Sequence, residues 1–398
     1  MNNTIKLAVA SALLAAASSA SAAGGIVAGD WTLDIGGVVN AYVTSTKAKG
    51  AAGSASATTN NITTGLLPNY LSVSGKTRQN DLDVAFTISI QPGASTTHSG
   101  IQGGVDSGLG VNSSQENRQA FLTFGDASWG SIKLGKDLGI YASDAILNDM
   151  TLLGVGNGAG YLAGNTTTTG RIGNGYQYAD WKAQAAYTSP NFNGFSFTAG
   201  VTQSWNATGD YSSTSRGGKE PAFEGKASYS FAADAVTGKV WVSALSQKIQ
   251  GLQDDATETA LDNTSATARA FDVGATVSAA GFALTGYYFD GKGTGGRLQF
   301  ANAFDSEGNK LNSDGYYVQT TYTLPGVNTK LGASYGESKV HAGVDVDSTE
   351  SHMYTFGVYH PITKHLNLVA EYSDETTKTD SVQDTQSKTI SAGAILFF

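Results

Sequence analysis

The chain has 398 residues, a formal net charge of −9, 50 glycines, 18 tyrosines, 16 phenylalanines and no cysteine. So acidic a chain lacks the basic face that nucleic-acid binding requires. Because there is no cysteine, the fold must be stable without the disulfide bonds that are common in exported proteins. Abundant glycine and aromatic residues with few charges favour many β-strands joined by loops.

Residues 1–22 have the features of a secretory signal peptide. A single cation, Lys6, precedes an apolar run over 7–17, and the small residues Ala20 and Ala22 fit an A-x-A cleavage pattern. The run is too short to cross a bilayer, and no longer apolar run follows it, so no transmembrane helix is expected. We therefore predict an exported chain, cut before Ala23, whose mature part covers 23–398.

The connections between predicted strands alternate in length. Short turns are predicted at 77–80, 126–129, 190–193, 279–281, 325–328 and 361–364. Long polar loops are predicted at 47–67, 93–117, 139–170, 206–221, 248–266, 291–313, 339–350 and 375–386. The length alone would allow two soluble domains, but short turns on one rim and long loops on the other are typical of outer-membrane barrels. The count is about 16 strands, from 32–43 to 387–398, with both ends at the periplasmic rim.

One connection differs from the other loops in composition. The segment of about 138–170 carries eight apolar residues in its first half, with Asp144 and Asp149 among them. A solvent-exposed loop has little reason to present so much apolar surface, whereas a loop folded into a barrel can bury it against the wall. We predict that this segment narrows the lumen.

The C-terminal half shows strand alternation most plainly. In 365–372 one face carries Leu366, Leu368, Ala370 and Tyr372, and the other carries Asn367, Val369 and Glu371. The apolar faces often end in tyrosine, where an interfacial girdle would lie. The pattern favours strands with lipid outside and water inside, hence an all-β, transmembrane, antiparallel 16-stranded β-barrel with an inward-folded third loop. The last strand closes on Phe398, which resembles the signal that Gram-negative barrels present to their assembly machinery.

Several segments resemble the general (non-specific) porins of Gram-negative bacteria, over essentially the whole mature chain. Residues 118–125 and 130–136 are similar to the fourth and fifth strands of that family, and 187–195 to its characteristic short turn. The resemblance implies a homotrimer of barrels in outer-membrane lipid, each with its third loop inside the pore.

The resemblance also implies a charged constriction. Arg118 and Arg171 match wall arginines, Lys136 stands where the family usually has arginine after glycine, and Asp149 matches an acidic loop position, with Asp144 as a second candidate. Opposed charges across a narrow aqueous pore would create a transverse field that selects among ions and polar solutes. The alternatives are that both carboxylates are ordinary solvated loop residues and that Arg118 pairs at a subunit interface.

Two departures from the family pattern concern this constriction. The family's Pro-Glu-Phe-Gly tip is Leu152-Leu153-Gly154 here, and Tyr70 stands near the place of a second-strand arginine. One expected carboxylate is therefore missing, and the sign of the net ion selectivity stays open.

The resulting hypothesis is passive diffusion of small hydrophilic solutes and ions across the outer membrane, with no cofactor or metal. A substrate-selective barrel is the alternative, and a barrel enzyme or adhesin is a more distant one. The chain has no cysteine, no H-E-x-x-H and no G-x-S-x-G motif, which disfavours catalysis. The histidines are His98, His341, His352, His360 and His365.

Overall fold

The computed structural model describes residues 25–50, 56–94, 115–158, 167–213 and 220–398. The predicted signal peptide therefore lies outside the described residues, as do 159–166 of the third loop. Within the described ranges there are twenty-one strands, one short α-helix and one 3₁₀ helix. No helix in these ranges has the length and apolar character needed to cross a membrane.

The bounds of the elements follow in chain order. The strands before the helix are β1 (Ile26–Ala28), β2 (Trp31–Lys49), β3 (Ala57–Thr63), β4 (Tyr70–Gln79), β5 (Leu82–Pro92), β6 (Gln115–Asp126) and β7 (Gly130–Leu138). The helix α1 (Ser143–Asn148) and the 3₁₀ helix (Met150–Leu153) follow. The later strands are β8 (Trp181–Thr188), β9 (Phe195–Thr202), β10 (Tyr211–Ser213), β11 (Ala222–Ala233), β12 (Val236–Gln250), β13 (Leu252–Asp254), β14 (Thr259–Ala260), β15 (Ser265–Ala279), β16 (Phe282–Lys292), β17 (Asn312–Thr323), β18 (Lys330–Val340), β19 (Thr349–Pro361), β20 (Leu366–Thr379) and β21 (Val382–Phe397).

The strands close into an antiparallel barrel with 16 positions in its wall. Each wall strand pairs with the next, and β2 pairs with β21 from Val38 opposite Phe397 to Lys49 opposite Gln386, which closes the ring. On its other edge β2 pairs with β3 above and β4 below, so these two strands form one interrupted wall position. The short β1 pairs with the start of β2, and β10, β13 and β14 form a separate small sheet. The predicted 16-stranded barrel is confirmed.

The barrel is apolar outside and polar inside. On β17, for example, Val318 is exposed while its neighbour Gln319 is buried, and on β20 Leu368 is exposed while Glu371 is buried. Side chains that alternate along a strand point to opposite faces of the sheet. A wall that presents large apolar residues outward is stable in lipid rather than in water.

The connections differ from the predicted ones in several places, and the predicted loops over 206–221 and 248–266 contain the short strands β10, β13 and β14. A two-residue turn between Ala233 and Val236 was not predicted. The predicted long loop over 375–386 is wrong, because β20 extends to Thr379 and β21 begins at Val382. The predicted loop over 47–67 contains β3, which extends the wall beyond the membrane-facing part of β2. A polar, hydroxyl-rich sequence predicts a loop. In this barrel, however, strand pairing continues through such sequence beyond the lipid-facing part of the wall.

The C-terminal residue meets the first long strand, β2, at the seam of the barrel. The N–H of Phe398 donates to the carbonyl of Gly37 at 3.1 Å, and the N–H of Gly37 donates back at 2.9 Å. A Cβ on Gly37 would overlap the carbonyl of Tyr70 and press on the Phe398 ring. Glycine at this position thus leaves room for the ring of the terminal residue beside β2.

Candidate functional site: the third-loop segment and its wall

The segment between β7 and β8 packs against the inner face of the wall. Its apolar side chains are buried, namely Ile140, Tyr141, Ile146, Met150 and Leu152. Ile146 and Leu152 pack in one buried cluster with lumen-facing aromatic residues of the wall, among them Tyr287 and Tyr317. Burial of this apolar surface stabilises the position of the segment against the wall.

A buried carboxylate on β11 fixes the start of the segment. Glu224 accepts hydrogen bonds from the backbone N–H groups of Ile140 and Tyr141, both at 2.9 Å. Its other oxygen lies 2.5 Å from Nζ of Lys182, which is also fully buried. A buried carboxylate is stable in this position because charged and backbone donors satisfy its oxygens.

A second buried carboxylate, on β20, fixes the middle of the segment. Glu371 accepts from the N–H groups of Val155 and Gly156 at 2.7 and 2.8 Å, and from the hydroxyl of Tyr359 at 2.6 Å. A Cβ on Gly154 would overlap the Glu371 carboxylate, so only glycine permits this close approach. Glu371 and Glu224 are thus two latches, one at each end of the apolar half of the segment.

Two further wall strands hold the part between the latches. Gln319 on β17 accepts from the N–H of Met150 at 2.7 Å and donates to the carbonyl of Asn148 at 3.0 Å. The hydroxyl of Tyr42 on β2 donates to the carbonyl of Leu153 at 2.7 Å. The anchoring side chains therefore come from β2, β11, β17 and β20, which lie around the ring.

Asp144, on α1, faces two lysines of the opposite wall. Nζ of Lys226 on β11 lies 3.3 Å from one carboxylate oxygen, and Nζ of Lys239 on β12 is hydrogen-bonded to the other. Asp144 is buried, whereas the two lysine side chains keep 28% and 14% of their area exposed. One carboxylate and two partly exposed ammonium groups leave local positive charge at this surface.

These lysines line an open cavity of about 570 Å³ inside the barrel. Its lining is mainly hydroxyl, amide and charged groups, including Asp34, Lys133 and Asp137 together with Lys226 and Lys239. Lys133 and Asp137 form an ion pair on β7. The cavity is polar and roomy enough to hold many water molecules.

Asp149 lies deeper in the segment and its oxygens are occupied. The carboxylate accepts from the N–H and hydroxyl of Thr151 at 2.9 and 2.7 Å, and from the hydroxyl of Tyr176 at 2.8 Å. The first of these contacts caps the 3₁₀ helix. The structure thus places Asp149 as a buried cap rather than beside the cavity.

Arg171, on the return part of the segment, is completely buried. Its guanidinium donates to the carbonyl of Met353 at 2.9 Å, to the hydroxyl of Thr355 at 3.2 Å and to the hydroxyl of Ser334. All three partners belong to β18 and β19, so Arg171 ties the segment to a third part of the wall.

The two other predicted cations lie apart from Asp144. Arg118 is buried on β6 with its guanidinium 5.7 Å from the ring centre of Trp181, and it borders a small apolar pocket under the segment. Lys136 is paired with Ala120, on the outward side of β7 that also carries Leu134, and its Nζ donates to the carbonyl of Asn117. Of the predicted charged residues, Arg171 and Asp149 therefore lie close enough for their charges to interact, whereas Arg118 contacts Trp181 and Lys136 faces outward.

Sequence reasoning missed the wall partners Lys226, Lys239, Glu224 and Lys182. The alternation of polar and apolar residues predicts that such residues face the lumen, as it did for Glu371. Alternation alone does not say which wall residue contacts which loop residue.

A model of Gram-negative porins matches residues 8–380. The chain belongs to the Gram-negative porin family. It is an outer-membrane channel through which solutes diffuse, not an enzyme, and the outer membrane of Gram-negative bacteria is its location. No curated protein sequence matches this porin.

Solved porin structures share the fold at low sequence identity. The outer membrane channel DcaP of Acinetobacter baumannii is 15% identical, with a TM-score of 0.66 over 94% of this chain and 100% of that one. An anion-selective porin from Comamonas acidovorans is 16% identical, with a TM-score of 0.59 over 92% and 100%. OmpF of Salmonella typhi, in complex with daunomycin, is 15% identical, with a TM-score of 0.52 over 93% and 98%. At these identities the likeness concerns the fold alone.

Proposed function

We propose that small hydrophilic solutes and ions pass through the polar cavity that Lys226 and Lys239 line, beside α1. The observation that carries this proposal is the position of Asp144 opposite Lys226 and Lys239 beside the polar cavity. The lysines and Asp137 give the cavity lining fixed charges of both signs, which bias the passage of ions. Water and polar solutes can reorient in such a field, whereas apolar solutes are disfavoured.

In this proposal the constriction is the segment of about 138–170, and its charged residues divide into two groups. The two wall lysines face the permeating ions, and the buried Asp144 lowers the local positive charge through its ion pairs with them. Asp149 and Arg171 stabilise the shape of the segment. Asp149 accepts hydrogen bonds from Thr151 and Tyr176 within the segment, and Arg171 donates to β18 and β19 of the wall. Arg118 supports the underside of the segment, and Lys136 takes no part in the passage.

General diffusion is favoured over substrate selectivity by the lining of the cavity. Among the described residues that line it, the aromatic ones are Tyr70 and Phe121, too few to form a continuous path for one substrate. The test is swelling of proteoliposomes in sugars of increasing size. A smooth fall in rate with size supports general diffusion, and saturation at micromolar concentration of one sugar would support the selective alternative.

The biogenesis of the channel completes the proposal. Residues 1–22 act as a cleaved signal peptide, residues 23–398 form the barrel, and the assembled protein is a homotrimer. Phe398 is the C-terminal signal that the barrel-assembly machinery recognises. Its backbone pairing with Gly37 at the seam supports this role, because recognition of the last strand would precede closure on β2.

A further inference from the structure

The lipid-facing side of the wall carries a groove of about 890 Å³. Small outward-facing residues on four consecutive strands form its floor, namely Ala185, Ala199, Gly225 and Ala244. The exposed Phe223 lines the groove beside Gly225, and the depression exists because the floor residues lack bulk.

The groove runs obliquely across the wall. Along one row of the sheet Arg269 is paired with Ser246, Ser246 with Phe223, and Phe223 with Val201. Arg269 lies near the start of β15, next to a long loop, whereas Ile132 at the other end of the groove follows a short turn. Because long loops are outside in such barrels, the groove descends from the outer rim into the membrane.

Three cations meet at the upper end of the groove. Arg269 is paired with Lys292 on the neighbouring strand, and Nζ of Lys310 donates to the carbonyl of Thr267 at 2.9 Å. Partial burial and the nearness of Lys292 and Arg269 lower the pKa of Lys310. In the described part of the chain no carboxylate lies within 4.0 Å of the charged atoms of these three side chains.

This local excess of positive charge stands out in a chain whose net charge is −9. Nearby on the same face, Lys248 is paired with Glu220 at 3.6 Å, and Asp290 lies opposite Phe271, one row below Arg269. Four cations and three carboxylates, counting Asp314 opposite Asp290, leave the rim positive. An anionic group is the complement that this end lacks.

We propose that the groove holds a membrane lipid whose acyl chain covers the alanine and glycine floor and whose phosphate binds Arg269, Lys292 and Lys310. The outer wall is in contact with lipid in any case, and the groove offers one chain more contact than the convex wall around it. A guanidinium and two ammonium groups can donate charge-assisted hydrogen bonds to the oxygens of one phosphate. The groove would thus retain a phosphate-bearing lipid in preference to a neutral one.

The test is native mass spectrometry of the detergent-purified full chain with dioleoyl phosphatidic acid. Dioleoylglycerol has the same chains without phosphate, and inorganic phosphate tests the headgroup alone. We expect Arg269→Gln/Lys292→Gln to weaken phosphatidic acid binding at least tenfold, since each cation near a lipid surface contributes to binding. Gly225→Leu should weaken it similarly by filling the groove, because a Cβ there meets only the Thr198 carbonyl, at 3.5 Å.

Gly286→Leu is the matched control for the groove. Gly286 lies on β16 between the exposed residues Leu284 and Tyr288, and a Cβ there meets nothing within 4 Å. Wild-type binding in this variant, with loss in the other two, supports the proposal. Equal binding in all variants, or equal binding of dioleoylglycerol, overturns it. So does a smaller oligomer for Gly225→Leu, which would make the groove a subunit contact.

Discussion

The carboxylate of Asp144 lies 3.3 Å from the ammonium of Lys226, so a direct ion pair joins the inner segment to β11. Lys239 binds the same carboxylate from the next strand, so two wall strands present cations to one loop residue. This arrangement differs from the predicted group of two arginines and Lys136 against Asp149, and it determines which substitutions should alter ion flow.

Asp144→Asn should shift the selectivity of the channel toward anions. The substitution removes a negative charge and leaves the ammonium groups of Lys226 and Lys239 without it. A unit charge 4 Å from an ion in water contributes about 1 kcal/mol, or roughly a fivefold change in the ratio of anion to cation permeability. Reversal potentials in a salt gradient measure the ratio. Asp149→Asn is the matched control and should change it less, because asparagine keeps the cap of the 3₁₀ helix. An equal shift in both variants would contradict this assignment.

Glu371→Gln should loosen the middle of the segment. The N–H groups of Val155 and Gly156 lose a charged acceptor, and such a hydrogen bond is worth about 2 kcal/mol. Hydrogen exchange at these two amides should accelerate roughly thirtyfold, and open-channel current noise should rise. Glu337→Gln, on the outer face, serves as the control. Unchanged protection of both amides would show that Glu371 is not a latch.

Gly154→Ala should reproduce the effect of Glu371→Gln by a steric route. The added methyl group would overlap the Glu371 carboxylate and displace it from its backbone donors. Combined with Glu371→Gln it should add little further exchange, because both changes break the same contact. Gly286→Ala, where a methyl group meets open space, should behave as wild type. Additive effects of the two substitutions would contradict the prediction that Gly154→Ala acts through the Glu371 contact.

Deletion of Phe398 should lower the yield of assembled trimer without reducing export. The residue closes the seam through its two backbone hydrogen bonds with Gly37, and it would act as the proposed assembly mark. Heat-modifiable mobility on gels measures assembly, and the amount of processed chain measures export. Phe356→Ala removes another outward-facing phenylalanine and should assemble normally. Normal assembly after the deletion would end the proposed role of Phe398.

The barrel could be predicted from the sequence because its cause is local. Alternation in 365–372 identifies the lumen-facing position of Glu371 from neighbours in the chain, and the structure confirms that face. The length of the last hairpin could not be predicted in the same way. Polar residues between Glu375 and Gln386 resemble a loop, yet strand pairing continues nearly to the turn.

The partners of the inner segment required the structure. Asp144 and Lys239 are 95 residues apart, and nothing in the local sequence relates them. Their meeting depends on the position of α1 in the lumen, which Glu224 fixes at the start of the segment and Glu371 near its middle. The resemblance to porins indicated the kind of constriction, but burial of Asp149 and the outward position of Lys136 are properties of this chain.

The most direct test of the lumen path uses the absence of native cysteine. Ser228 lines the inner cavity on β11, and its neighbour Tyr229 faces outward with 44% of its area exposed. Ser228→Cys and Tyr229→Cys can each be labelled in a planar bilayer with a cationic methanethiosulfonate reagent while single-channel conductance is recorded. A stepwise fall in conductance for Ser228→Cys alone is the expected result. No change for Ser228→Cys after complete labelling would contradict a water-filled path along this wall.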